Sequence, residues 1–258
     1  MAWTAFVLHH HHWSESSLIL DLFTRETGRL TAVAKGAKRP HSQLRSVLLP
    51  FQKIHVAMTR RSTRGDNDLF VLQTLRSAEW IGGAGILSGA SLFSGFYLNE
   101  LLMKILMHQE PHPGLFDAYQ SALCTLAQAP EVRVPAVLRA FELCLLQDLG
   151  VLPNLSLCTD TQKPVEPHIL YLLSADCGVV QLQDSCQDEE ALPGAILIGL
   201  QSAFLTGDFN AIMQTCTLAL SPLKMALRGV LHYHLGFDHL RTRQIMLDMQ
   251  ALERHTTS

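Results

Sequence analysis

The sequence predicts an α+β chain, with a small five-stranded barrel followed by a mainly α-helical domain. Three observations predict it. Five short stretches with period-2 apolar alternation fill residues 1–80, separated by turns rich in glycine and charge. Beyond Trp80 the composition shifts and apolar residues recur at helical spacing. The charge divides at the same place: residues 1–80 carry 11 Lys+Arg against 6 Asp+Glu, the remainder 9 against 17, so +5 and −8 sum to the overall −3. A basic N-terminal part on an acidic body fits one polyanion-binding face and one protein-binding body.

A chain of 258 residues holds one large domain or two modest ones, and 48% hydrophobic with 17% charged residues excludes a mainly disordered chain. No apolar run reaches the ~18 residues that span a bilayer. The N-terminus lacks a charged segment followed by an apolar one, so the expectation is a soluble cytoplasmic protein. The six cysteines (Cys124, Cys144, Cys158, Cys177, Cys186 and Cys216) are then expected as free thiols.

The first strand is WTAFVLHHHH, residues 3–12. Two histidines of its run face each side, too few for a stable metal site, so solvated strand-end imidazoles are expected. LILDLF, residues 18–23, alternates as a strand with a buried face, TRETG is the hairpin turn, and RLTAVAK, residues 29–35, is the third strand. A basic loop follows, with Lys35, Lys38, Arg39 and Arg45 in eleven residues. Residues 48–58 form a fourth strand with Pro50 at its entry, RRSTRGDN is a charged turn starting at Arg60, and residues 68–75 form the fifth strand. Five strands at this spacing predict a barrel of the OB type over 1–80. Such barrels hold single strands of nucleic acid with a positive groove and stacking aromatics, for which the candidates are Trp13, Phe23, Phe51 and Phe70.

IGGAGILSG is a glycine-rich connection without the GK[ST] of a phosphate loop. The helical domain is assigned to 81–258. Residues 92–108 form a largely buried helix, ended by Pro111 and Pro113; residues 115–129 and 134–149 form two more, the last capped by Gly150. Residues 151–194 read as a small strand-containing insertion. A helix over 196–204, a longer one from Phe209 with Asp208 or the neighbouring Gly207 as cap and Pro222 breaking or restarting it, and one over 241–252 complete the chain. No nucleophile elbow, HExxH or Walker loop occurs, so no enzyme is expected. An OB-fold RNA-binding or ribosome-associated protein is the alternative to a DNA-binding one.

SESSLILDLFTRETGRLTAVAKGAKRPHSQLR, residues 14–45, resembles the N-terminal signature of the RecO family of bacterial recombination-mediator and DNA-repair proteins. LFSGFYLNELLMKIL, EPHPGLFDAY and RAFELCLLQDLG resemble its first three helices, and FDHLRTRQIML, more loosely, its C-terminal segment. The resemblance implies an OB fold, a helical domain and, in some members, a four-cysteine zinc module. It implies binding of single- and double-stranded DNA, strand annealing, contact with the tail of single-stranded-DNA-binding protein (SSB), and work with RecR, and indirectly RecA, in the RecF pathway near the nucleoid. Phosphate contacts are then expected from Lys35, Lys38, Arg39 and Arg45, helped by Arg25, Arg29 and Arg60. The SSB tail is expected at Tyr97, Leu98, Leu101 and Arg139. The zinc pattern is degenerate, since only Cys158 and Cys177 remain of two C-x-x-C pairs, so no metal or other cofactor is expected.

Overall fold

Antiparallel pairing of Ala2–His12 (β1) with Leu18–Thr24 (β2), and of β2 with Gly28–Ala34 (β3), starts the fold. Description comes from a computed structural model that covers residues 2–59, 73–83, 85–128, 130–182, 189–236, 240–242 and 244–245. A four-residue helix, Leu44–Val47 (α1), leads into Gln52–Thr59 (β4), which pairs with both β1 and Gln73–Gly83 (β5). A short parallel ladder from β3 to β5 closes the ring in the order β1-β2-β3-β5-β4. This is the five-stranded OB-like barrel expected from the sequence.

Alternation packs Ala5, Val7, Leu20, Leu22, Ile54 and Val56 inside the barrel. Each buried aliphatic side chain contributes roughly 1.5–3 kcal/mol. The barrel's outside is apolar too along β1 and β2. Phe6 and Phe23 are a cross-strand pair, and both are fully buried. They pack on Phe116 and Tyr119 of Pro113–Gln128 (α3), with ring centroids 5.1–6.2 Å apart. The remaining helix of this unit is Gly89–Ile105 (α2). A register shift between Val7 and His9 frees the Leu8 carbonyl from the ladder, and Asn99 of α2 donates to it at 2.8 Å. Tyr119 in turn donates to Asn99 Oδ1. Burial pushes the Tyr119 phenol up, so it stays a donor.

The fifth strand departs from the sequence reading. It was expected to end at Leu75 but continues to Gly83. Arg76, Ser77 and Glu79 hide it, because that stretch lies exposed and is held by its backbone ladder to β4. The N-terminal half of the expected strand and the RRSTRGDN turn lie outside the described residues.

The chain divides into two compact units, Met1–Ala127 and Gln128–Ser258. In the second, Val134–Asp148 (α4) packs on Phe209–Thr217 (α6) and Leu220–Leu235 (α7), and Gly194–Thr206 (α5) packs on α6. Asp208 caps α6 as expected, accepting from the Asn210 amide at 2.9 Å. The insertion is a three-stranded sheet of Leu170–Ser174 (β6), Gly178–Gln181 (β7) and Leu192–Pro193 (β8). The expected C-terminal helix lies mostly outside the described residues.

Asn99→Ala removes the donor to Leu8 and the acceptor for Tyr119 together. At roughly 1–3 kcal/mol per buried unsatisfied group, the expected loss is about 2–4 kcal/mol in urea unfolding. A loss under about 0.5 kcal/mol, the range of a neutral surface change, would remove this bond from the account.

Candidate nucleic-acid interface

The basic stretch after β3 is folded by its own backbone. Gly36 takes a φ of +72°, which favours glycine. Arg39 N donates to the Gly36 carbonyl at 3.1 Å, Ser42 N to Arg39 at 3.0 Å, and Arg45 N to Ser42 at 3.2 Å. Lys35, Arg39 and Arg45 are exposed, Lys38 half-buried. Two bonds join this stretch to the loop between β1 and β2: Lys38 N to the Ser16 carbonyl at 3.0 Å, and Lys38 Nζ to the Ser14 carbonyl at 2.9 Å. Register puts the two at one end of the barrel, since His12 lies opposite Leu18 and Leu18 opposite Ala34. Here four cations meet one acidic side chain among the described residues of both stretches, Glu15.

Arg25 and Arg29 stand at the other end of β2 and β3, about 20 Å away at ~3.3 Å per residue. Arg25 forms a two-point ion pair with Asp117 of α3, at 3.1 and 2.9 Å. Arg29 is only 16% exposed. Its guanidinium donates to the carbonyls of Met103 and Leu106, where α2 ends, and to Asp21 at 3.3 Å. Free C-terminal carbonyls of a helix attract a cation, which is what Arg29 supplies. Both residues were expected at phosphates; both are instead engaged with the unit's own helices. Arg60 lies outside the described residues.

Gly28, with φ +73°, does more than turn the hairpin. A Cβ there would lie 1.7 Å from the Glu110 carbonyl oxygen, because residues 108–110 run across it. Asp21 gathers Arg29, Thr31 at 3.4 Å and His11 at 3.5 Å, while His108 meets Thr31 at 3.2 Å. His9 and His10 sit below the ordinary imidazole range because of burial first and their neighbouring histidines second. His108 sits low because of burial and then Arg29.

The four stacking candidates separate cleanly. Phe23 and Phe51 are buried in packing, Phe70 lies outside the described residues, and Trp13 is 62% exposed. Its place in the β1–β2 turn, not within a strand's alternation, was the available signal. Asp21 and Asp117, which decide the fates of Arg29 and Arg25, carried no local signal, Asp117 being 92 residues from Arg25.

Three of the expected SSB-tail residues are buried. Tyr97, Leu98 and Leu101 are 8%, 0% and 0% exposed. Arg139, in the second unit, binds the fully buried Glu142 at 2.5 Å. Removing either charge would strand the other, so Arg139 is held by its own helix. Cys144 and Cys216 are thiols pushed up to about 12 by burial.

The insertion does not fit a zinc module. Cys158 is buried and its thiol donates to Asp160 at 3.0 Å, while Cys177 is exposed. The two turns are joined by Thr159: its amide donates to the Val179 carbonyl at 2.7 Å, and its hydroxyl accepts from Val179 N at 2.9 Å. Thr161 and Val180 stand where the second thiolate of each C-x-x-C pair would be needed. Among the described residues no group of three or more His, Cys, Asp or Glu is placed to hold a metal; Cys186 is outside them.

Family models match nearly the whole chain: Recombination protein O N terminal over residues 1–83 and Recombination protein O C terminal over 88–244. Similar proteins include "DNA repair protein RecO" of a Polaromonas species, 47% identical with 96% of each chain covered. That of Polaromonas naphthalenivorans is 48% identical, with 96% of each covered. That of Albidiferax ferrireducens is 43% identical over 96% of this chain and 95% of the other. Among solved structures, an Entamoeba histolytica asparaginyl-tRNA synthetase aligns at 11% identity and a TM-score of 0.28, over 72% of this chain and 40% of that one, and carries no argument.

Two outcomes follow from the electrostatics. Arg29→Ala breaks a buried ion pair and should cost about 3 kcal/mol in urea unfolding. Lys35→Ala should cost under about 0.5 kcal/mol; equal losses would contradict this division of roles. Imidazoles held low in the folded state contribute stability above their ordinary value of 6.5 and lose it as pH falls. Melting temperature should therefore drop between about pH 7.5 and 5.5, and drop less in His9→Gln/His10→Gln protein.

Proposed function

The chain belongs to the RecO family of DNA repair proteins, and we propose that it acts as a recombination mediator through the barrel end carrying Lys35, Lys38, Arg39 and Arg45. The observation that carries this is the gathering of four cations on one loop, hydrogen-bonded through Lys38 to the turn between β1 and β2, while Arg25 and Arg29 are engaged elsewhere. Exposed Lys and Arg side chains neutralise phosphates and release counterions without reading bases. That suits binding of single- and double-stranded DNA of any sequence, and annealing of complementary strands. Arg60 is kept in the proposed set on its sequence alone.

Contacts with SSB and RecR, and promotion of RecA loading in the RecF pathway, are proposed from family membership. Arg139 stays in the proposed SSB-tail set on family resemblance, with Glu142 as its ion-pair partner within the helix. No catalytic role is proposed. We read the insertion as metal-free, supported by the Thr159 bonds that join its two turns. Among the described residues no helix is long and apolar enough to cross a membrane.

Fluorescence anisotropy with a labelled single strand at several salt concentrations tests the reading. Lys35→Ala/Arg39→Ala/Arg45→Ala should lower the salt slope by about 2, at ~0.7 per phosphate contact. Arg25→Ala should leave the slope unchanged. A triple variant that binds with the wild-type slope would contradict the assignment. Prolonged EDTA treatment should leave the unfolding midpoint where it was; a lowered midpoint restored by zinc would overturn the metal-free reading.

A further inference from the structure

We propose that Trp13 stacks on a base of bound single-stranded DNA, and that this contact makes the interface prefer single strands over duplex. The inference rests on the DNA-binding reading above and adds the contact that reading lacks. Cations alone meet the phosphates of one strand or two. A preference between them needs a group that engages what a duplex hides, the face of an unpaired base.

Trp13 is the first residue after β1, and its amide donates to the Ser17 carbonyl at 3.2 Å to close the turn. The backbone is thereby fixed while the indole stands 62% exposed. Trp80 is as exposed, but its ring nitrogen is tied to Gln52 Oε1 at 2.8 Å. The next residue, Ser14, accepts the Lys38 ammonium, so a cation is anchored one residue from the indole. Lys35 and Arg39 lie on the same hydrogen-bonded segment as Lys38. An exposed apolar ring on a turn hydrogen-bonded to the segment that carries three cations supplies the two parts of a single-strand site: a stacking platform and a track for the backbone. An apolar protein partner would instead favour a wider patch with few charges.

The test compares three DNA ligands of equal length: a thymidine strand, an abasic strand and a duplex. Trp13→Ala should bind the thymidine strand about tenfold more weakly, the loss of one stacked base. Its affinity for the abasic strand and the duplex should stay within about twofold of wild type. Trp13→Phe should recover part of the loss on the thymidine strand alone. In Trp3→Phe/Trp80→Phe protein, where Trp13 is the remaining tryptophan, the thymidine strand should quench the fluorescence and the abasic strand should not. Equal losses on all three ligands would overturn the proposal, because Trp13 would then merely position the basic loop. So would full binding of the thymidine strand by Trp13→Ala. If wild type binds none of the three in a salt-sensitive way, the DNA-binding reading itself fails, and the stacking contact with it.

Discussion

The backbone carbonyl of Leu8 must be satisfied inside a fully apolar surface. It loses its ladder partner at the β1 irregularity, and Leu8 is buried. Leaving such a group bare costs a large fraction of a domain's net stability. Asn99 satisfies it, and Asn99 is oriented by Tyr119, whose ring also covers Phe6 and Phe23. This hydrogen bond and the packing of Phe6 and Phe23 on Phe116 and Tyr119 together hold the two helices on one side of the barrel.

The covered side also explains the division among the basic residues. Where α2 ends, its carbonyls point at β3, and Arg29 answers them. Where α3 begins, Asp117 answers Arg25. These cations stabilise the attachment of helices to barrel. The opposite end of β2 and β3 leads into the basic stretch, whose one helix among the described residues is the four-residue α1 that carries Arg45 itself. Lys35, Arg39 and Arg45 remain exposed there, and Lys38 stitches their loop to the turn bearing Trp13. The same residue type therefore does two jobs, decided by what the fold brings within a few ångströms.

Period-2 alternation made the first four strands legible, and the TRETG turn marked the first hairpin, because local sterics and burial fix both. Helices α2 to α5 were legible to within a few residues for the same reason. The far half of β5 was not: polar residues on an exposed strand leave no alternation, and only the backbone ladder to β4 defines it. The basic loop was legible as a cluster, since its members are neighbours in sequence. The fates of Arg25, Arg29 and Arg139 were not, because a pairing partner's position depends on tertiary structure or, for Glu142, on burial. Tyr97, Leu98 and Leu101 illustrate the opposite trap: an apolar helix face reads alike whether it awaits a partner or already packs.

In the proposed function, nucleic acid meets the barrel at one end, formed by residues 13–17 and 35–45. Hydrogen–deuterium exchange with and without a saturating thymidine oligonucleotide tests it most directly. The account predicts new protection in those two segments and no change in the 24–29 hairpin turn. Protection confined to the 24–29 turn, with 13–17 and 35–45 unchanged, would contradict it.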